Sequence, residues 1–270
     1  MKNLPAVALI GAGAMGGAML RGWLKNKAIE PSSSAVFDPT ANDAMKSLCA
    51  DHGLSLNPEI DGRFDAVVVA IKPQMAEKVL PDYSVIARDA VVVSVMAGKS
   101  VARISEFLGG AEKIARTMPN LPAAIGEGVS GVFASDTVSA QERLMIGSLM
   151  EASGDVVWVE NEKEIDFVTA ISGSGPAYFF LLAEALAEAG EALGISPEQA
   201  SALATATFVG AGRLMGTETR SPAEMRRAVT SPGGTTEAAL NVLDGDDKEI
   251  RKLMKAATLA AAKRAGELTD

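Results

Sequence analysis

The chain contains a single cysteine and a single histidine among its 270 residues. With Cys49 alone no internal disulfide can form, which favours a reducing compartment, and we expect the cytoplasm. His52 falls on a predicted helix near Cys49 and is interpreted as a surface or packing residue rather than a catalyst. Clusters with metal-ligand spacing and a G-x-S-x-G motif are both missing, so we expect neither a metal site nor serine-hydrolase chemistry.

Basic charge is also scarce, with 25 Lys and Arg against 34 Asp and Glu and a net charge of −9. This balance, without any basic tract, argues against nucleic-acid binding. Long apolar runs are missing too: residues 177–193 are interrupted by Glu184, Glu188 and Glu191, whereas a membrane span needs roughly 18 uninterrupted apolar residues. We therefore expect a globular protein with no nucleic-acid or membrane partner.

A glycine motif stands near the start of the chain. The apolar run at residues 5–10 is followed by G-A-G-A-M-G and then by Met19, Leu20 and Trp23 at helical spacing. A G-x-G-x-x-G between a strand and a helix is typical of pyrophosphate binding by a dinucleotide. The predicted contacts are Gly11, Gly13, Ala14, Met15 and Gly16.

Asp38 ends the predicted second strand, residues 34–38, about 20 residues after the glycine motif. An acidic residue there usually accepts a hydrogen bond from the ribose 2′-hydroxyl of NAD. No Arg follows at residues 39–43 to hold a 2′-phosphate. Equally, Asp38 can simply start the turn at Asp38-Pro39. The sequence leaves both interpretations open, and with them the choice between NADH and NADPH.

Strands and helices alternate in the first half of the chain. Predicted strands cover residues 65–71, 90–95, 113–117, 128–134 and 156–159, and predicted helices cover 42–52, 74–80, 101–107 and 141–150. Continuous β-branched runs between short helices predict an α/β fold, a Rossmann-type, doubly wound parallel sheet covered on both faces. From residue 164 onward only helices are predicted, over 164–171, 176–193, 197–214, 222–228, 235–243 and 247–267. We therefore divide the chain into a dinucleotide-binding domain, 1–159, and an all-α oligomerisation and substrate domain, 160–270.

The helical half is rich in Ala, Leu and Gly and poor in large residues. These helices are too few to bury their own apolar faces around a compact core. We expect them to be completed by another subunit in an intertwined oligomer, with a compact single-chain bundle as the alternative.

Three further segments follow predicted strands and would lie at the edge of the sheet where a dinucleotide crosses. The candidate cofactor contacts there are Ala70, Ile71, Lys72, Pro73, Ala97, Gly98 and Asn120. The amide of Asn120 could bond a nicotinamide carboxamide. Each segment could also be an ordinary turn, but three at successive strand ends favour a cofactor cleft.

Residues 229–236 place hydroxyls and glycines around a proline, directly before a run with helical spacing. A helix N-terminus offers unpaired N–H groups and a favourable dipole for an anion, and glycines allow a ligand close to the main chain. This pattern predicts a pocket for a small carboxylate, although a Ser-Pro-Gly turn capping a helix would look similar. The candidate substrate contacts are Val229, Thr230, Ser231, Gly233, Gly234, Thr235 and Thr236.

Without an ordinary imidazole base, the acceptor of a hydride should need little acid catalysis. A polarised C=N, especially when protonated, meets this condition better than a ketone. A carboxylate pocket beside a nicotinamide therefore suggests reduction of a small cyclic imino acid.

Five motifs support a family resemblance that runs nearly end to end: I-G-A-G-A-M-G at 10–16, I-K-P-Q at 71–74, M-P-N at 118–120, S-G-S-G-P-A-Y at 172–178 and V-T-S-P-G-G-T-T at 229–236. The chain resembles the Δ1-pyrroline-5-carboxylate reductases. The resemblance implies hydride transfer from NADPH or NADH to C5 of the ring, giving L-proline. It also implies dimers intertwined through the helical domain, often five of them in a ring.

The resemblance implies roles for individual residues as well. The substrate carboxylate would lie on Ser231, Gly234, Thr235 and backbone N–H groups, and the Thr236 hydroxyl would face the imine nitrogen. Glu162 would lie near the nicotinamide and Asn57 near the adenosine ribose. Many relatives carry Ser or Arg where this chain has Asp38-Pro39, which puts NADPH preference in question.

Two other functions share parts of this pattern. A β-hydroxyacid dehydrogenase shares the glycine motif and a helical second half, but its catalytic lysine would follow the glycine-rich start of the long helix, and residues 174–183 contain none. A non-catalytic nucleotide-binding relative would have no need for the hydroxyl cluster.

Overall fold

The computed structural model describes residues 4–269. They form two compact units, one comprising residues up to Ser174 together with those from Ala261 onward, the other Gly175–Ala260. The boundary predicted between residues 159 and 160 follows the last strand, whereas the compact units divide after Ser174. The predicted domain limits stay a prediction.

The first unit is built on one eight-stranded sheet with the order β3-β2-β1-β4-β5-β6-β7-β8. Its strands are β1 Val7–Ile10, β2 Ala35–Phe37, β3 Ser55–Leu56, β4 Ala66–Val69, β5 Val91–Ser94, β6 Ile114–Met118, β7 Gly128–Ala134 and β8 Gly154–Trp158. The first six follow the Rossmann order, and the chain reverses direction across the sheet between β1 and β4. The predicted fold class is confirmed.

The sheet departs from the prediction at β7, which pairs antiparallel with β6. A parallel neighbour needs a long crossover, whereas β6 and β7 are joined by a short connection containing the 3₁₀ turn Leu121–Ile125. β3 was not predicted, because a strand of two residues at the edge of the sheet is too short to show a hydrophobic pattern.

The helices of this unit are α1 Ala14–Asn26, α2 Asp43–His52, α3 Ala76–Val79, α4 Ser84–Ala87, α5 Val101–Phe107, α6 Ala140–Glu151 and α7 Glu164–Val168. The helix predicted at 74–80 is α-helical only over the one-turn α3: a 3₁₀ turn over Pro73–Met75 precedes α3, and another 3₁₀ turn follows over Leu80–Tyr83. Pro81 lacks the backbone N–H with which α3 would continue, so the α-helical hydrogen bonds end before it. The helix predicted at 164–171 passes after Val168 into a π-type turn over Thr169–Gly173.

Apolar side chains cover both faces of the sheet. Along β1, Val7 and Leu9 belong to one core cluster, and Ala8 and Ile10 to the other. Burial on both sides explains why the strands read as unbroken apolar runs rather than alternating ones.

The second unit contains helices alone: α8 Gly175–Ala192, α9 Pro197–Thr217, α10 Pro222–Ala228, α11 Thr235–Asp244 and the first part of α12, Glu249–Leu268. α8 and α9 approach closely at Gly190, where a Cβ would lie 3.0 Å from that of Ala200. Most large apolar side chains of α8 and α9 are exposed, among them Phe179, Phe180, Leu181, Leu186, Leu203, Val209, Leu214 and Met215. One stretch, Glu164–Ala192, is long and apolar enough to cross a membrane by length and composition alone.

Candidate functional site

The glycine loop is packed too tightly for side chains at two of its positions. A Cβ on Gly16 would lie 2.1 Å from the carbonyl oxygen of Gly11. Gly11 itself has a φ of 89°, and its Cβ would lie 2.8 Å from the carbonyl oxygen of Ala70 and 2.9 Å from Cγ2 of Ile71. The loop therefore brings the ends of β1 and β4 against the first turn of α1.

Gly13 shows the opposite situation. It is the N-cap of α1, and among described residues no atom lies within 4 Å of a Cβ built on it. Among the described residues no side chain caps α1, and the first turn of α1 holds no acidic residue. The helix start is thus open at Gly13, with Ala14 exposed and Met15 packed against the core. This arrangement fits a pyrophosphate, and the predicted contacts of the loop with one stay a prediction.

Asp38 is tied into the glycine loop. Its Oδ2 accepts the N–H of Ala12 at 2.9 Å, and its Oδ1 accepts both the N–H and the hydroxyl of Thr40 at 2.8 Å. Burial raises the pKa of this carboxyl, but the hydrogen bonds outweigh it and the pKa lies below its ordinary value. The carboxylate is therefore ionised at neutral pH. The turn interpretation of Asp38 is confirmed; its contact with a ribose stays a prediction.

Asn57 holds the same strand end from the other side. Its Oδ1 accepts the N–H of Asp38 at 2.8 Å, and its Nδ2 donates to the Asp38 carbonyl at 3.0 Å. A φ of 50° lets Asn57 present its amide in this way. The residue thus positions Asp38, a role that sequence reasoning missed, and its contact with the adenosine ribose stays a prediction.

The other strand-end segments lie along the same carboxyl edge. Lys72 is exposed, at the start of the Pro73 turn. The amide of Asn120 is 8% exposed, and its Oδ1 accepts the N–H of Val129 at 2.9 Å. Its role with the nicotinamide stays a prediction. Beside Ala97, Gly98 has a φ of 67° and packs on the end of α12, with a Cβ position 2.5 Å from the Leu268 carbonyl oxygen.

Glu162 joins three elements of this unit. Its Oε1 accepts the N–H of Val101, the first residue of α5, at 2.7 Å, and Nη1 of Arg116 at 2.9 Å. Arg116 lies in the middle of β6 and is 2% exposed. Sequence reasoning missed Arg116, although a charge in the interior of a predicted buried strand was a signal that could have found it.

The hydroxyl-rich segment after α10 forms the corner predicted from its sequence. Gly233 has a φ of 71°, and Gly234 is the N-cap of α11. The Gly233 N–H donates to Oε2 of Glu237 at 2.8 Å, and the Thr230 hydroxyl donates to the Arg226 carbonyl at 2.7 Å. A Cβ on Gly234 would lie 2.6 Å from Oγ of Ser231.

The N-terminus of α11 is left accessible by this corner. Its N-cap, Gly234, has no side chain to cap it, and Glu237 in the first turn bonds the N–H of Gly233, outside the helix. Ser231 and Thr235 are exposed, and Thr236 is half-buried. Val229 is exposed as well, at the end of α10. A small anion could therefore meet backbone N–H groups and hydroxyls together, as the sequence predicts for a carboxylate.

Asp244 fastens the far end of α11 to its neighbours. It accepts Nη2 of Arg251 at 2.6 Å and Nη1 of Arg226 at 2.7 Å. Hydrogen bonds from Arg251 and then from Arg226 lower the pKa of Asp244 to about 2. Because Arg226 also contributes the carbonyl that holds Thr230, this cluster links α10, the corner and α12.

Comparison with known proteins decides the family. A model of pyrroline-5-carboxylate reductase dimerisation matches residues 162–268, and one described as NADP oxidoreductase, coenzyme F420-dependent, matches residues 6–98. A pyrroline-5-carboxylate reductase of Pseudomonas aeruginosa is 37% identical, over 99% of this chain and 98% of that protein. The chain belongs to the pyrroline-5-carboxylate reductase family. It carries the dimerisation domain of that family and is an NAD(P)H-dependent oxidoreductase.

Solved structures agree with this family. That of a pyrroline-5-carboxylate reductase from Coxiella burnetii has a TM-score of 0.91 at 35% identity and covers 99% of this chain and all of that one (100%). The Plasmodium falciparum pyrroline carboxylate reductase, determined with NADP bound, shares the fold at a TM-score of 0.81 and 24% identity, with 99% of both chains covered.

The two glycines of the loop should respond differently to the same change. Gly13→Ala meets open space and should leave the melting temperature unchanged, yet its methyl group intrudes where a pyrophosphate would lie, so NADPH and NADH should bind more weakly. Gly16→Ala should lower the melting temperature because its Cβ meets the Gly11 carbonyl oxygen. Thermal melting and cofactor titration check both. Unchanged cofactor binding in Gly13→Ala would contradict the cradle.

The Asp244 cluster should make stability depend on pH. The pKa is depressed in the folded chain, so the contribution of the carboxylate is fully present above its ordinary value of 3.8 and is lost as the pH falls toward about 2. Asp244→Asn should therefore lower the melting temperature at neutral pH, and the difference from wild type should shrink through that window. Asp246→Asn, an exposed neighbour, is the matched control. A difference independent of pH would contradict the ion cluster.

Proposed function

We propose that this protein reduces L-1-pyrroline-5-carboxylate to L-proline, the last step of proline biosynthesis, with NADPH or NADH as hydride donor. The observation that carries this is one chain that combines a cradle fitting a dinucleotide with the family's dimerisation domain, in which a helix start is lined by hydroxyls. Neither feature alone specifies the reaction, but a hydride donor and an imino-acid site together do.

The cofactor would be held along the carboxyl edge of the sheet. Gly11, Gly13 and the first turn of α1 would take the pyrophosphate, and the Asp38–Asn57 pair would take the adenosine ribose. The segments at Ala70–Pro73 and Ala97–Gly98, with Asn120 and Glu162, would meet the nicotinamide half. The bound nicotinamide supplies a hydride.

The corner at residues 229–236 would bind and orient the imino acid. Ser231, Gly234, Thr235 and the N–H groups at the start of α11 would hold the carboxylate, because a helix N-terminus favours an anion. The Thr236 hydroxyl would face the imine nitrogen, where it can donate or accept a hydrogen bond. Since a protonated imine needs little acid catalysis, no histidine is required at this site.

The working enzyme would be a homo-oligomer. The exposed apolar side chains of α8 and α9 support a partner subunit that covers them, and an intertwined dimer, assembled further into a ring of five, would do so. Hydride transfer needs the imine carbon beside the nicotinamide, so the corner and the cofactor edge, from one chain or two, must meet in the assembly. We place the enzyme in the cytoplasm, with the imino acid and its own copies as partners.

Among the rivals, a β-hydroxyacid dehydrogenase is not supported, because no lysine stands where that chemistry needs one. A non-catalytic relative would bind cofactor without turnover. An assay of the purified protein with pyrroline-5-carboxylate and NADPH or NADH, followed at the nicotinamide absorbance, separates a reductase from a non-catalytic relative.

Thr236→Ala should lower kcat by about a hundredfold, in the range of a lost proton-handling group, without changing the melting temperature or cofactor affinity. Thr236→Ser keeps the hydroxyl and should recover most of the rate. Thr219→Ala, on the exposed connection before α10, serves as the matched control. Full turnover by Thr236→Ala at saturating imine would remove this hydroxyl from the reaction.

Asp38 should make the enzyme favour NADH. Its carboxylate is ionised at neutral pH and would repel the 2′-phosphate of NADPH. Asp38→Asn removes the charge while an amide oxygen still accepts the Ala12 N–H, so kcat/KM for NADPH should rise relative to that for NADH. Comparing the two cofactors with wild type and variant decides this. A strong NADPH preference in wild type would count against it.

A further inference from the structure

Arg116 is an unusual residue for its position. It occupies the third position of β6, paired in register with Ser94 of β5 and Phe133 of β7, and its side chain is 3% exposed. Glu162 is the acceptor for its Nη1. The other two guanidinium nitrogens, Nε and Nη2, are buried without a hydrogen-bond partner in the described residues.

Stability alone does not account for an arginine here. Burying a guanidinium with only one of its nitrogens bonded costs free energy, and each unsatisfied N–H group adds to that cost. An apolar side chain of similar volume would fill this position without the desolvation cost of a buried charge, as Ile114 does two residues earlier on the same face. The cost indicates that Arg116 serves the site rather than the core.

The contacts of Glu162 show what the arginine acts on. The same Oε1 that accepts from Arg116 also accepts the N–H of Val101, in the first turn of α5. α5 follows the Ala97–Gly98 segment at the end of β5. A side chain anchored in the rigid strand β6 therefore fixes Glu162, and through Glu162 the entry to α5.

The place of Arg116 in the strand order indicates which half of the cofactor lies near Glu162 and the start of α5. Asp38 and Asn57 lie at the end of β2, and the glycine loop lies at the end of β1. In the strand order β2-β1-β4-β5-β6, a dinucleotide with its adenosine half over β2 extends its other half toward β5 and β6. Arg116 and the entry to α5 belong to that second half.

We propose that Arg116 is a positioning residue, which holds Glu162 and the start of α5 in the arrangement that receives the nicotinamide half of the cofactor. This inference rests on the proposed function. It adds a buried residue, remote from the glycine loop, on which binding of one half of the dinucleotide depends.

Binding of the whole cofactor and of its adenosine half separates this role from a structural one. We would titrate wild type, Arg116→Met and Arg116→Lys with NADPH and with 2′,5′-ADP, which lacks the nicotinamide, and in parallel with NADH and ADP. Arg116→Met should weaken the whole dinucleotide about tenfold, or about 1.4 kcal/mol, and leave the fragment unchanged. Arg116→Lys, which keeps a donor for Glu162, should recover part of the affinity.

Two further variants make the result specific. Arg143→Met is the matched control, since Arg143 donates to the Ala134 carbonyl and lies over the Trp158 ring, away from the cofactor edge. In a Glu162→Gln background, Arg116→Met should cost less than in wild type, because the two residues act as one unit. If Arg116→Met does not fold, Arg116→Lys and Glu162→Gln still test the proposal, since each should weaken the dinucleotide and spare the fragment.

Equal weakening of dinucleotide and fragment, or no weakening of either, would overturn the positioning role. Failure of wild type to reduce pyrroline-5-carboxylate would instead refute the proposed function, and the titrations would still decide the role of Arg116.

Discussion

The cofactor edge depends on one steric constraint, the approach of the first turn of α1 to the end of β1. A side chain at Gly16 would lie 2.1 Å from the Gly11 carbonyl oxygen, so only glycine permits this distance. The contact sets the start of α1 at the carboxyl ends of the paired strands β1 and β4, at the edge of the sheet. The end of β4 and the Asp38 turn are packed or bonded to the same loop.

Carboxylates hold the loops around the candidate sites, and each joins segments that are distant in sequence. Asp38 links the end of β2 to the glycine loop, Glu162 links β6 to α5, and Asp244 links α10 to α12. Loops that bind ligands have little apolar surface of their own to bury. Hydrogen bonds to charged groups are stronger than neutral ones, so a single carboxylate can fix such a loop where packing cannot.

Local sequence patterns predicted most of the fold correctly. They failed where a structural feature depends on residues that are distant in the sequence. The strand and helix on either side of the glycine motif, the β-branched strands and the switch to helices at residue 164 all depend on neighbouring residues, and all were confirmed. The direction of β7 was missed because it depends on how the connection from β6 closes. The helix predicted at 74–80 is α-helical only over Ala76–Val79, because Pro81 cannot continue its hydrogen bonds.

From the sequence by itself come the fold class, the family resemblance and the two motifs on which the proposed reaction depends, since hydrophobic period and glycine spacing are properties of contiguous residues. Only the tertiary structure showed that Arg116 pairs with Glu162, or that Asn57 holds Asp38. Those contacts depend on strand order and register, which bring together side chains far apart in the chain and which no local pattern encodes.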